Sequence, residues 1–413
     1  MIPRCADVPD RVRASADRLV QVALIKRRAT SGYDWGVYDR LYIHNYKCLV
    51  NFELRLGETS LLVGANGSGK TSVLDVVFGL RKLLAGEAKV NDRITFHPST
   101  LTRWQPGREQ LFEIDVGAHG EQYRYRLKVE HTLDKRQSRI VEESLVSNGD
   151  TLFRCDLGEV RLYRDDGSEG PTYSADWNES ALARVAPQPV NTRLTTFIEV
   201  VQSTVVCSIR PAMLGTESER EAEYLGRHAE NFVDWYRHAV QENPGSVRSH
   251  VEALRSVVEG FDNVHLQQAG LDQRALMLDF HADGAALDGG PRRFKLRFGE
   301  LSDGQRALVV LYALLHLRDP EAGSVLFLDE PDNFVALPEI QPWLMALVEM
   351  CEETPAQAII CSHHPELIDY LGSDDGLLLR RDASAVSVTR LKLPDLPNCG
   401  LKLSELVARG WER

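Results

Sequence analysis

Nine consecutive residues, Gly64-Ala65-Asn66-Gly67-Ser68-Gly69-Lys70-Thr71-Ser72, have the composition of a phosphate cradle. Three glycines let the backbone curl so that successive N–H groups converge on phosphate oxygens. Lys70 supplies a point charge for the β- and γ-phosphates, and the Thr71 hydroxyl suits Mg²⁺. The chemistry needs a strand before the turn and a helix after it, so that the helix start adds its positive end. Residues 60–63 (Ser-Leu-Leu-Val) read as a buried strand and residues 73–78 (Val-Leu-Asp-Val-Val-Phe) continue as a helix.

Three later stretches carry the matching acidic, basic and dipolar groups. Residues 301–306 (Leu-Ser-Asp-Gly-Gln-Arg) precede an apolar helix, and Ser302 and Gly304 at its start offer a hydroxyl and free N–H groups to a γ-phosphate. A capped helix explains that stretch equally well. Residues 325–331 (Val-Leu-Phe-Leu-Asp-Glu-Pro) place two carboxylates at the end of a central strand, where open α/β sheets hold ligands. Asp329 is suited to Mg²⁺, and Glu330 to orienting and deprotonating water. Residues 358–365 form another buried strand ending in Ser362, His363 and His364, from which His363 could hydrogen-bond the γ-phosphate or its water.

The chain has 413 residues, 43% hydrophobic and 26% charged, enough for one large or two moderate domains with ample core. A net charge of −12 argues against a protein that coats nucleic acid with its whole surface and leaves room for a local basic groove. Without a membrane-length apolar run or a signal-peptide core, a cytoplasmic location with no membrane partner is expected. The cysteines at 5, 48, 155, 207, 351, 361 and 399 form no C-x-x-C pair and read as reduced thiols.

Residues 1–37 read as a peripheral extension with one short helical pattern, and residues 41–43 and 52–56 as two strands. Period-2 alternation at 111–116 and 123–129, with turn signals at Asn148-Gly149 and Asp165-Asp166-Gly167, predicts an antiparallel meander over about 111–175. Its outward face carries Arg124, Arg126, Lys128, Lys135, Arg136 and Arg139. That is a solvated face or a nucleic-acid contact, and the absence of interleaved aromatics favours the first. A helix to about Gln202 and then a strand are expected over 191–210. Helices over 217–242 and 246–259 form a hairpin too short for a long coiled coil, and strands resume at 275–280 and 294–298. The expected divisions are 1–37, an extension; 38–210, a lobe with phosphate loop and meander; 211–300, a signature lobe; and 301–413, the signature helix, acidic pair, switch histidine and cap.

The order of phosphate loop, L-S-D-G-Q, hhhhDEP and S-H-x-P resembles the ABC-type ATPase core, within it the RecF/SMC/OLD-like group of AAA-family ATPases. The likeness spans about residues 40–380. It implies an α/β, P-loop NTPase of ABC-ATPase head type, with a mixed central sheet, an antiparallel β-lobe and a helical lobe. It further implies ATP and Mg²⁺ as ligands and a head-to-head homodimer. Lys70, Thr71, Asp329 and Glu330 would be the catalytic set, Ser302 and Gly304 would act on the partner's nucleotide, and His363 would be the switch histidine. A Mg²⁺-sensing glutamine is also implied; Gln202 is the first candidate and Gln188 the second. His364 receives no role. Residues 332–338 lack the usual pattern after the acidic pair, and the few residues after His363 are too short for a fused Toprim nuclease. A role in DNA repair, recombination or anti-phage defence with a separate nuclease or other effector is expected. The alternatives are the ATPase subunit of a transporter, which is usually more compact between Thr71 and Leu301, and a slow nucleotide-gated scaffold.

Overall fold

The computed structural model describes residues 36–132, 134, 137–285, 291–318, 324–391 and 402–409. Nearly all of the expected extension, and Lys135 and Arg136, lie outside them. The first strands, β1 (Val37–His44) and β2 (Phe52–Arg55), pair antiparallel, with Leu41 opposite Leu54 and Ile43 opposite Phe52. Those four side chains are buried while Glu53 and Arg55 are exposed, the alternation of a sheet with one wet face. β3 (Thr59–Val63) is buried throughout and joins a different sheet before α1 (Lys70–Leu84). Then β4 (Glu109–Ala118), β5 (Glu121–Thr132), β6 (Gln137–Ser147), β7 (Asp150–Asp156), β8 (Glu159–Tyr163) and β9 (Glu169–Ser174) run as the expected meander. With β1 and β2 they form an eight-stranded sheet in the order β2-β1-β4-β5-β6-β7-β8-β9. Asn148 (φ 49°) and Gly149 (φ 95°) close β6 onto β7, as a two-residue turn between right-twisted strands requires.

The helix and strand expected over 191–210 are α2 (Thr192–Ser203) and β10 (Val205–Cys207). β11 (Glu217–Ser218), α3 (Phe232–Glu242), α4 (Ser246–Val257), β12 (Phe261–Gln268), β13 (Arg274–Ala285) and β14 (Pro291–Arg297) follow. The last part of the chain comprises α5 (Asp303–His316), β15 (Ser324–Asp329), α6 (Leu337–Glu353), β16 (Ala356–Cys361), α7 (Pro365–Asp375), β17 (Gly376–Asp382), β18 (Ala385–Arg390) and α8 (Leu403–Ala408).

The central sheet has the order β10-β15-β16-β3-β17-β18, parallel except for β18. Period-2 side-chain direction divides its apolar residues between two cores. Leu62, Val206, Phe327 and Ile359 pack with α1 and the meander, whereas Leu61, Val63, Leu326, Leu328 and Ile360 pack with α5, α6 and α7. Each fully buried Leu, Ile or Phe contributes roughly 1.5–3 kcal/mol, so these two interfaces fix the strand ends that carry the chemistry.

Two sequence expectations fail around the helical lobe. Residues 219–231 are loop, and the first helix of the hairpin begins only at Phe232. Ala222, Leu225, Ala229 and Phe232 keep helical spacing, but Ala229 has φ 57°, outside any right-handed helix. The Asn231 side chain holds the loop in its own shape, accepting from Gly226 N at 2.7 Å and donating to Tyr224 O at 2.9 Å. β12 was not anticipated, because polar Asn263 and His265 interrupt its apolar pattern; pairing with β13 makes it a strand.

Candidate nucleotide site

Parallel strands β3, β16 and β15 lie side by side, so their carboxyl ends share one sheet edge. The glycine-rich turn leaves β3, Asp329 and Glu330 end β15, and His363 follows β16. Gly67 (φ 79°) and Gly69 (φ 106°) take left-handed conformations, and a Cβ on Gly69 would lie 3.0 Å from Leu49 Cδ2 and 3.1 Å from Cys48 Sγ. Among the described residues no side chain caps the start of α1, so its first-turn N–H groups are left to a ligand. Ser68 Oγ is buried and finds no hydrogen-bond partner there either. Lys70 is 7% exposed and donates from Nζ to Gly64 O at 2.7 Å. Burial lowers its pKa, while Cys361, Glu330 and Asp329 pull it up. An orphaned hydroxyl, an uncapped helix start and a cation held only by carbonyls fit an anionic ligand.

Glu330 has φ 51°, a left-handed conformation that costs a non-glycine residue about 1 kcal/mol or more. Its amide donates to Cys361 O at 2.7 Å, locking the end of β15 to β16. Its Oε2 accepts from Asn333 Nδ2 at 2.7 Å, and its Oε1 lies 3.8 Å from His363 Nε2. Burial, then Lys70, depresses the His363 pKa, which favours a neutral imidazole. Ser362 Oγ donates to Asp332 Oδ1 at 2.7 Å, so the segment after the acidic pair is tied to the histidine strand. His364 caps α7, its Nδ1 accepting from Glu366 N at 3.2 Å.

Asp329 is 8% exposed, and Arg227 Nη2 donates to its Oδ2 at 3.2 Å. The same nitrogen lies 3.6 Å from Asp75 Oδ1, one turn beyond Thr71 on α1. Arg227 Nε and Nη1 are buried without a partner among the described residues. The sequence gives no signal for Arg227, because its loop imitates a helix.

Thr71 and Ser72 line a cleft of about 460 Å³ with residues 66–70, Glu330 and His363. Trp104 and Arg381 line it too, and neither was anticipated. Ser302 and Gly304 do not line it. Ser302 caps α5 in a reciprocal capping box with Gln305, its Oγ accepting from Gln305 N at 3.2 Å. A Cβ on Gly304 would lie 2.7 Å from Phe334 O, so glycine lets the start of α5 close on the segment after Glu330. The two glutamine candidates fall elsewhere. Gln202 Nε2 donates to Leu84 O at 3.2 Å, at the opposite end of α1 and about 20 Å from Lys70 along its axis. Gln188 lies in the turn before α2, its backbone N–H donating to Asn191 Oδ1. Neither meets the carboxylates, and the side chain that donates to Asp329 is that of Arg227.

The outward face of the meander is a ladder of ion pairs. Arg124 grips Asp115 through two bonds of 2.8 Å, Arg126 lies 2.5 Å from Glu113 and 3.2 Å from Glu142, and Lys128 meets Glu109 at 2.8 Å. Arg139 meets Glu130 at 2.6 Å. Its cations are matched by cross-strand carboxylates, as in a solvated face.

The fold is that of an ABC/SMC-type ATPase head, with the cleft at the carboxyl ends of its parallel strands. Residues 60–195 and 226–369 match the family model described as "AAA domain, putative AbiEii toxin, Type IV TA system", and the chain belongs to that family. Among solved structures it is similar to a Pyrococcus furiosus Smc head domain with an extended coiled coil, bound to the C-terminal domain of ScpA. The identity is 11% and the TM-score 0.50, over 91% of this chain and 99% of that one. An SMC head domain from Thermotoga maritima matches at 15% identity and TM-score 0.43, over 86% and 99%. At such identities the likeness is one of fold. No curated protein matches the chain in sequence. Among the described residues no helix is long and apolar enough to cross a membrane.

Proposed function

We propose that this chain binds ATP with Mg²⁺ in the cleft around Lys70, hydrolyses it, and closes as a homodimer around the nucleotide. The convergence of Lys70, Thr71, Glu330 and His363 on one cleft carries this reading. The turn from Gly64 through Ser72 would wrap the phosphates with its N–H groups, and Lys70 Nζ would exchange its carbonyl partners for phosphate oxygens. Thr71 and Asp329 would hold Mg²⁺, which supplies charge neutralisation at the β- and γ-phosphates. Glu330 would take a proton from the water that attacks the γ-phosphorus, giving ADP and phosphate, with Asn333 holding its other oxygen. His363 would donate to the γ-phosphate or steady that water. Ser302 and Gly304 would complete the partner's site, a reading supported by their exposed helix start and their place outside their own cleft.

A role beside DNA, in repair, recombination or defence against foreign DNA with a separate effector, extends the same reading; the toxin named in the family description favours defence. The test is a trap. Glu330→Gln should bind ATP, hardly cleave it, and accumulate a dimer visible by light scattering, whereas Lys70→Ala should neither hydrolyse nor dimerise. A Glu330→Gln monomer at saturating ATP would overturn the dimer, and parental hydrolysis by Lys70→Ala would overturn the site.

A further inference from the structure

The central sheet assigns direction to the cleft. β16 and β15, which deliver His363 and Glu330, lie on one side of β3, and β17, which delivers Arg381, lies on the other. Adjacent strands are about 4.8 Å apart, so β16 and β17 are separated by about 10 Å across the phosphate loop. A triphosphate whose γ end meets Glu330 and His363 therefore directs the rest of the nucleotide toward the β17 side.

On that side stands Trp104, the only Trp, Tyr or Phe among the described residues lining the cleft. Its indole is 40% exposed and fixed at both edge and face. Nε1 donates to Ser384 O at 2.9 Å, in the turn between β17 and β18, and the Arg381 guanidinium sits 5.0 Å from the ring centroid. An exposed tryptophan held in this way, with a cation on one face, presents a rigid π-surface beside a phosphate cradle.

We propose that Trp104, backed by Arg381, is the stacking platform for the base of the bound nucleoside triphosphate. The proposal rests on the phosphate-loop reading above. Stacking recognises a π-face rather than a hydrogen-bond pattern, so the platform favours large purines over pyrimidines without selecting adenine by its edge. The site is built by two segments far apart in sequence, which makes the cleft's affinity for the base depend on docking of the β17–β18 hairpin against the loop that carries Trp104.

The test compares ATP with inorganic tripolyphosphate, which has the charge and no base, by equilibrium titration of the whole chain. The parent should bind both. Trp104→Ala should weaken ATP roughly five- to a hundredfold and leave tripolyphosphate unchanged, and Trp104→Phe should recover most of the loss. Tryptophan emission should be quenched by ATP and not by tripolyphosphate, and the quenching should vanish in Trp104→Phe. Arg381→Ala, at an exposed position, is the second variant should Trp104→Ala fold poorly, and it should weaken ATP selectively and less. Equal losses for both ligands, or no loss for either, would overturn the platform while leaving the phosphate loop intact. A parent that binds neither ligand would overturn the phosphate-loop reading and the platform with it.

Discussion

Arg227 Nη2 lies 3.2 Å from Asp329 Oδ2 and 3.6 Å from Asp75 Oδ1, so one guanidinium bridges the strand that ends in the acidic pair to the helix that begins at the phosphate loop. The Arg227 side chain is 11% exposed and that of Asp329 10%, so the contact is made away from bulk water. The arginine arrives on a loop held against β10, with Ser208 N donating to Arg227 O at 2.8 Å. A divalent cation on Asp329 would meet the same carboxylate, so the two cations compete for it.

Arg227→Gln should therefore lose stability when no divalent cation is present. Removing one partner of a buried ion pair leaves a stranded charge, and the cost is about 3 kcal/mol. Mg²⁺ should recover more of the urea midpoint in the variant than in the parent. Equal stability of the two proteins without Mg²⁺ would show the contact to be incidental.

The proposed shared site makes a sharper demand. Lys70→Ala breaks the phosphate loop, and Ser302→Arg puts a bulky charge at the helix start offered to the partner. Each homodimer has two damaged sites, but a mixed dimer has one intact site. With random exchange and independent sites, ATPase activity should return to about a quarter of the parent's. A mixture that stays dead while subunits demonstrably exchange would remove the main support for sharing.

Charge reversal on the meander separates nucleic-acid binding from structure. Arg124→Glu with Arg126→Glu places like charges beside Asp115, Glu113 and Glu142. Stability in urea should fall by about 1–2 kcal/mol. Any ATP-dependent DNA affinity, read by fluorescence anisotropy, should stay as it was. A steep loss of DNA binding with a flatter salt dependence would make this face the contact.

Acid should loosen the β-lobe through His131. This imidazole is 1% exposed between β4 and β6, 2.9 Å from Gln110 Oε1 and 2.9 Å from Ser138 Oγ, and burial pushes its pKa down to about 4. The unfolded chain takes up a proton below about pH 6.5, which the folded chain refuses until about pH 4. Stability is complete above the unfolded value and falls as pH drops through that window, by about 1.4 kcal/mol per pH unit from this group. Urea unfolding between pH 7 and pH 5 should show a shallower dependence in His131→Gln; an unchanged slope would mean that other groups govern it.

The sequence alone determined the chemistry that short segments carry. A glycine-rich turn before a lysine, two carboxylates after an apolar strand and a serine before a helix each act through neighbours a few residues away. The alternation of the meander and the Asn148-Gly149 turn were legible for the same reason. Tertiary structure decided the rest. Buried parallel strands have nearly the same apolar composition, so nothing local orders them; packing between two cores places β16 between β15 and β3. Leu225, Ala229 and Phe232 imitate a helix because they face one core, although their backbone is a loop pinned by Asn231. Gln202 has the residue type of a metal-sensing amide, and its side chain meets Leu84 O at the end of α1 away from Lys70. Two unanticipated contacts, Arg227 on Asp329 and Trp104 against the β17–β18 turn, join residues 102 and 280 positions apart. Long side chains meet such partners only after the sheet has closed, and a linear pattern holds no record of which distant carboxylate or carbonyl will stand opposite.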